Sequence, residues 1–156
     1  MLFDGAKKYV CETCGWTYYQ NAATAVMAIL TYEEKILFTV RAKNPEAGKL
    51  DLPGGFVDPG ETAEHALQRE LCEELGLTNL AFQYIGSAVN RYDYKNICYP
   101  TCDLIYTSAL VILPETLDRK EITDICLLKP DEIDSEKIGF QSVKEALRLY
   151  LNKQVS

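Results

Sequence analysis

The sequence predicts one domain of the α/β class, with helices packed on a mixed β-sheet. Three observations predict it. Strand-like segments outnumber helical ones, a single internal helix has both of its ends marked, and strands and helices do not alternate strictly as a purely parallel sheet requires. The chain has 156 residues, the size of one domain with one packed core. With 47% apolar and 25% charged residues it is neither disordered nor collagen-like.

The elements follow in order. Residues 1–20 stand apart, with Cys11-Glu-Thr-Cys14-Gly15 and the only tryptophan, Trp16. This short Cys-containing extension is expected to be a CxxC knuckle or a remnant zinc ribbon, and residues 21–156 to be the main domain. Ala23–Leu30 is apolar and short, and reads as a strand. Thr31–Glu34 reads as a turn into a second strand, Lys35–Arg41. Asn44–Gly48 is a loop. Leu50–Leu52 is a brief strand cut off by Pro53-Gly54-Gly55. Asp58-Pro59-Gly60 is a turn. A helix starts at Thr62, whose hydroxyl can cap it, and runs to Leu75; Gly76 sits where a left-handed cap belongs. Later strands fit Phe82–Asn90, Asp103–Leu113 and Glu121–Leu128. A last helix fits Ser142–Asn152, with Val143, Leu147 and Tyr150 at helical spacing.

Charge and hydropathy exclude several classes of function. The net charge is −7 and the pI about 4.8, so a general electrostatic grip on nucleic acid is not expected. The longest largely apolar stretch, Ala22–Leu30, is far short of the ~20 residues that cross a membrane. The first ten residues lack the apolar block of a secretory signal. Six cysteines in such a chain suggest thiols or a metal site rather than a disulfide framework, and the expected location is the cytoplasm.

The chemistry concentrates in Gly55–Leu77, GFVDPGETAEHALQRELCEELGL. At about 100° per residue from Ala63, Leu67, Leu71 and Leu75 fall near 40°, 80° and 120° and face the core. Glu74 falls at about 20°, Glu70 at about 340° and Glu73 at about 280°. Three carboxylates therefore lie inside or beside the buried stripe. Like charges one turn apart repel, and partly buried carboxylates cost several kcal/mol each unless neutralised. A hard divalent cation removes both costs, and Mg²⁺ favours a few carboxylates plus substrate phosphates. Gly54-Gly55 lets backbone approach such an ion closely. Cys72 and His65 fall near 180° and 200°, away from the acids. Cys72 and Cys126 read as structural, and His65 as a surface residue.

These residues resemble the signature of the Nudix hydrolases, G-x5-E-x7-R-E-U-x-E-E-x-G-U, where U is a bulky aliphatic residue. Gly55, Glu61, Arg69, Glu70, Leu71, Glu73, Glu74, Gly76 and Leu77 occupy all the specified positions at the right spacing. A chance match is roughly below one in 10⁹ per start position. The resemblance implies the Nudix fold, a mixed sheet sandwiched between helices. It implies hydrolysis of a nucleoside diphosphate linked to another moiety, with Mg²⁺ or Mn²⁺ on Glu70, Glu73, Glu74 and the Gly55 carbonyl. Glu61 and Arg69 would orient the loop and helix. The general base would be a glutamate of the box, such as Glu70 or Glu73, or a downstream one; Glu121 is the downstream candidate, otherwise an exposed strand-end acid.

Substrate candidates are less sharply marked. Arg41 ends the second strand and either contacts a phosphate or ribose or lies on the rim. Tyr92 and Tyr94 sit where some Nudix groups carry a substrate-reading residue; packing is the other reading. Phe140 stacks on a base or enters the core. The N-terminus resembles the zinc-ribbon junction of NADH pyrophosphatases, with one of the two Cys pairs absent. Zinc at Cys11 and Cys14 would need Cys98 and Cys102, or a second subunit, to complete four ligands; otherwise they are remnant thiols. The expected partner is a small nucleotide diphosphate derivative, such as an NADH-like dinucleotide, ADP-ribose or a nucleoside triphosphate, with no nucleic acid or membrane partner. A homodimer is a family-level expectation. The rival function is a non-catalytic Nudix-fold module that senses a nucleotide or binds a partner.

Overall fold

The computed structural model describes residues 1–3, 5 and 7–155. Three short strands come first: β1 (Leu2–Phe3), β2 (Lys8–Val10) and β3 (Thr17–Tyr19) form a small antiparallel sheet. The Cys11–Cys14 turn joins β2 to β3, and the ring stacks Phe3–Tyr9 and Trp16–Tyr18 lie on this sheet.

The main sheet is built on β4 (Ala23–Tyr32). β4 turns through Glu33 and Glu34, both at positive φ, into β5 (Lys35–Arg41). Two left-handed residues are what a tight hairpin demands. β6 (Leu50–Asp51) pairs with the end of β5, and β7 (Gly54–Phe56) pairs with the start of β4. β5 and β7 thus share one edge of β4, and the sheet opens between them. Helix α1 (Ala63–Leu75) follows, then the long hairpin of β8 (Gln83–Tyr94) and β9 (Ile97–Ala109). β10 (Ile122–Leu128) lines up against β5, and α2 (Gln141–Val155) closes the chain. The main order is β10-β5-β4-β9-β8. β4 and β9 are parallel and the other pairs antiparallel, so the sheet is mixed as expected.

β4 is buried on both faces, which is why it reads as an apolar run rather than an alternation. Met27 and Ile29 join Ile36, Phe38, Ile105, Val143 and Leu147 beneath α2. Val26, Ala28 and Leu30 join Leu37, Leu67, Leu71, Leu75 and Tyr106 beneath α1. One helix on each face completes the sandwich.

Several strand boundaries differ from the sequence reading, and Gly54–Phe56, read as the end of a strand, is itself β7. The segments expected at Phe82–Asn90 and Asp103–Leu113 run instead to Tyr94 and from Ile97 to Ala109. Lys95 and Asn96, both at positive φ, form a two-residue turn between them. Neither is glycine, so the turn carries no obvious mark. Pro100 lies inside β9, which meets β4 only from Thr101 onward. The missing N–H of Pro100 therefore breaks no rung between those strands. Among the described residues no helix is long and apolar enough to cross a membrane.

Candidate active site

Helix α1 is placed by its ends. The Thr62 hydroxyl oxygen accepts from the His65 N–H at 3.2 Å, and Gly76 at φ 65° caps the C-terminus by donating to the Cys72 carbonyl at 3.0 Å. Ala66, Leu67, Leu71 and Leu75 then lock one face to the sheet, bringing the next face against β7.

β7 is glycine there for a steric reason. A Cβ on Gly54 would fall 2.0 Å from the Val26 carbonyl oxygen, and one on Gly55 would fall 2.4 Å from Glu70 Oε1. The bare backbone lets β4, β7 and α1 stack at contact distance. Gly54 N–H donates to Glu74 Oε2 at 3.1 Å.

Arg69 ties the loop to the helix. Its Nε and Nη2 donate to Glu61 at 2.7 and 2.9 Å, and Nη2 also donates to the Phe56 carbonyl at 3.1 Å. Its Nη1 donates to Glu70 Oε1 at 2.7 Å and to Glu73 Oε2 at 3.4 Å. Paired to Arg69 and hydrogen-bonded by the Asp58 N–H, Glu61 has its pKa lowered to about 2. Burial pushes Glu74 the other way, up to about 8, against the opposing Gly54 hydrogen bond; the charges of Glu70, Asp51 and Glu121 add to the rise. Burial also raises Glu70, with Arg69 opposing. Glu73 is 57% exposed.

A cavity of about 90 Å³ adjoins Gly54 and Gly55 on the α2 face of the sheet. Arg41 reaches it from β5, held by Asp51 Oδ2 at 2.7 Å and the Pro45 carbonyl at 2.8 Å. Its guanidinium lies 4.8 Å from the centre of the Phe140 ring. Tyr92 stands between Phe56 and Phe140, with ring centres 5.4 and 5.9 Å away. The result is a cationic and aromatic wall next to the acidic helix.

This geometry matches a known family. The NUDIX domain model matches residues 21–150. The chain belongs to the NUDIX family. An ADP-ribose pyrophosphatase of Methanocaldococcus jannaschii is 49% identical over 59 residues, covering 38% of this chain and 35% of that protein. An NAD-capped RNA hydrolase NudC of Chromobacterium violaceum is 34% identical over 77 residues, covering 49% of this chain and 29% of that protein. The chain thus aligns with about a third of the length of these relatives. A crystal structure of a NUDIX hydrolase from Nitrosomonas europaea superposes with a TM-score of 0.64 at 27% identity, covering 94% of this chain and 80% of that one.

The NUDIX-box residues Gly55, Glu61, Arg69, Glu70, Glu73 and Glu74 stand together at one end of the sheet, and Arg41, Tyr92 and Phe140 line the adjoining cavity. Tyr94 does not; it is 44% exposed at the hairpin tip beneath the Lys95 ammonium. Glu121 lies exposed beside β10, ion-paired with Lys43, and its carbonyl accepts from Ala42 N–H. Cys11 and Cys14 have no converging partners: among the described residues no three acidic, thiol or imidazole side chains form a metal-ligand group. The same holds for the box acids as they stand, since Glu70 turns to Arg69 and Glu74 to Gly54. Cys98 instead accepts from Arg91 Nε at 3.2 Å. Cys72 is exposed, which corrects its reading as a structural thiol, while Cys126 packs against the core.

Sequence reasoning did not single out several polar residues of the cavity, among them Asp51, Thr101, Asp103 and Ser142. The signal available was an acid on the inward face of a strand, in Asp103-Leu-Ile105, but the strand was read as starting at Asp103.

Proposed function

We propose that this chain is a metal-dependent hydrolase that cleaves the diphosphate bond of a nucleoside diphosphate joined to another moiety. One observation carries the reading: the half-buried carboxylates Glu70 and Glu74 of α1 stand against a glycine backbone beside a cavity walled by Arg41 and aromatic rings. The oxygen-only donor set and the desolvated Glu74 carboxyl fit a hard cation, and Gly55 has no Cβ to block it. Glu70, Glu73, Glu74 and the Gly55 carbonyl would hold Mg²⁺ or Mn²⁺. Once bound, the ion would polarise phosphoryl oxygens and lower the pKa of a bound water.

The chain's own residues do the rest. Arg69 holds loop and helix in register through Glu61 and is a positioning residue. A carboxylate accepts the proton of the attacking water: Glu70 or Glu73 from the box, or Glu121 from the end of β10. Arg41 meets a phosphate or ribose, and the cavity takes the nucleoside, with Tyr92 and Phe140 beside the ring. Catalysis is mostly positioning and charge stabilisation. The kinship with an ADP-ribose pyrophosphatase supports ADP-ribose as the first substrate to test, ahead of NADH-like dinucleotides and nucleoside triphosphates. The −7 charge offers no general grip on an RNA body.

The test is incubation with each nucleotide and Mg²⁺, following release of AMP or another monophosphate. Cleavage of at least one, abolished by EDTA and restored by Mg²⁺, is expected. Failure to cleave any of them, or full activity in metal-free buffer, defeats the proposal.

A further inference from the structure

The floor of the cavity is polar in a place where the fold does not require it. Asp103 is 4% exposed on the α2 face of β9, in a row with apolar Ile105. The hydroxyl of Thr101, a residue also 4% exposed, donates to Asp103 Oδ1 at 2.6 Å, and both residues line the cavity. Ser142 in the first turn of α2 is 1% exposed, lines the same cavity, and its Oγ has no hydrogen-bond partner. Buried polar atoms are almost always paired, so an orphaned hydroxyl on a residue that lines a cavity points to a missing partner atom.

We infer that Asp103 and Ser142 are specificity-determining residues that read an exocyclic amine and its neighbouring ring acceptor on the nucleoside base, the pattern that adenine presents. The carboxylate accepts from the amine N–H, and the Ser142 hydroxyl donates to the ring nitrogen. Tyr92 and Phe140, in contact with each other at 5.9 Å between ring centres, form one aromatic wall beside the base. A base with a carbonyl in place of the amine would set two acceptors against each other. Sites built to hydrogen-bond a substrate group reject analogues that leave the partner unpaired far better than apolar pockets reject a missing methylene. This inference rests on the cavity holding the nucleoside end of the substrate.

The experiment compares ADP-ribose with IDP-ribose, which differ by amine against carbonyl, in steady-state hydrolysis with Mg²⁺. Alongside, adenosine and inosine binding is measured by calorimetry without metal. The wild type is expected to favour the adenine member by about tenfold or more in each. In Asp103→Asn the Thr101 hydroxyl still donates to Oδ1, and the other oxygen is replaced by an amide N–H₂. The preference should vanish or reverse, through KM rather than kcat. Ser142→Ala should raise KM for ADP-ribose by about threefold or more without lowering Tm. A wild-type preference below twofold overturns the inference, as does an Asp103→Asn ratio within twofold of wild type. If Asp103→Asn does not fold, Ser142→Ala and the adenosine–inosine pair decide. Preferential adenosine binding with no cleavage of any diphosphate defeats the proposed hydrolysis and leaves this inference standing. Equal cleavage of ADP-ribose and IDP-ribose does the opposite.

Discussion

The two faces of the main sheet solve different problems. Beneath α1 the face is apolar from Val26 to Leu75, and the helix's polar chemistry is pushed to its flank, where Glu70 and Glu74 meet β7. Beneath α2 the face is apolar only around Ile29, Phe38 and Val143; towards the start of α2 it gives way to Asp103, Thr101 and Ser142 around a cavity. One face is a complete core carrying a reactive edge. The other gives up packing to make a hole. Stability and function are therefore in competition on the α2 side, and are merely neighbours on the α1 side.

That contrast can be broken in order of effect. The largest is on the α1 edge: Glu73→Gln and Glu74→Gln should each lower turnover about 10²-fold or more in steady-state kinetics with Mg²⁺, with the fold intact. Rates within about threefold of wild type for both would remove the metal assignment. Next is the α1 core, where Leu71→Ala should cost about 2–5 kcal/mol in denaturant unfolding, because Leu71 is 1% exposed in close packing. A loss under about 1 kcal/mol would mean that this face is no better packed than the one with the hole.

A third, smaller effect is a pair of opposite pH slopes on the same edge. The Glu61 pKa is lowered in the folded state, so its contribution to stability is full above about 4.5 and is lost as pH falls towards about 2. Glu61→Gln should flatten the acid limb of thermal melts. The Glu74 pKa is raised, so the folded form binds the extra proton, and stability falls as pH rises from about 4.5 to about 8. In EDTA, Glu74→Gln should match wild type near pH 4 and exceed it by about 3–6 °C in Tm at pH 9. A lower Tm for Glu74→Gln at pH 9 would contradict the burial of that charge. The smallest effect is on the α2 side. Ser142→Ala should leave stability unchanged or raise it by up to about 1 kcal/mol, because it removes an unpaired buried hydroxyl. A loss of 2 kcal/mol would show that the hydroxyl has a structural partner.

Some of this was readable from the chain because the responsible interactions are local. The Thr62 cap, the Gly76 stop and the Leu67–Leu71–Leu75 stripe lie within one helix, where spacing dictates which side chains share a face. The same periodicity put Glu70 and Glu74 beside the buried stripe. The β8–β9 turn was not readable, because Lys95 and Asn96 adopt left-handed backbone only where the long strands on either side hold them there. Tyr94 is placed by the same hairpin: it pairs with Ile97 at the tip and is not among the residues that line the cavity.

By itself, then, the order of residues determined the acidic helix with its two ends, the glycine pair that approaches it, and the family to which they belong. The cavity was decided only when the chain closed. Arg41, Tyr92, Asp103 and Phe140 come from three strands and the entry to a helix, far apart in sequence. Helical periodicity acts over a few residues, but an unfilled space exists only between surfaces that long-range packing has brought together.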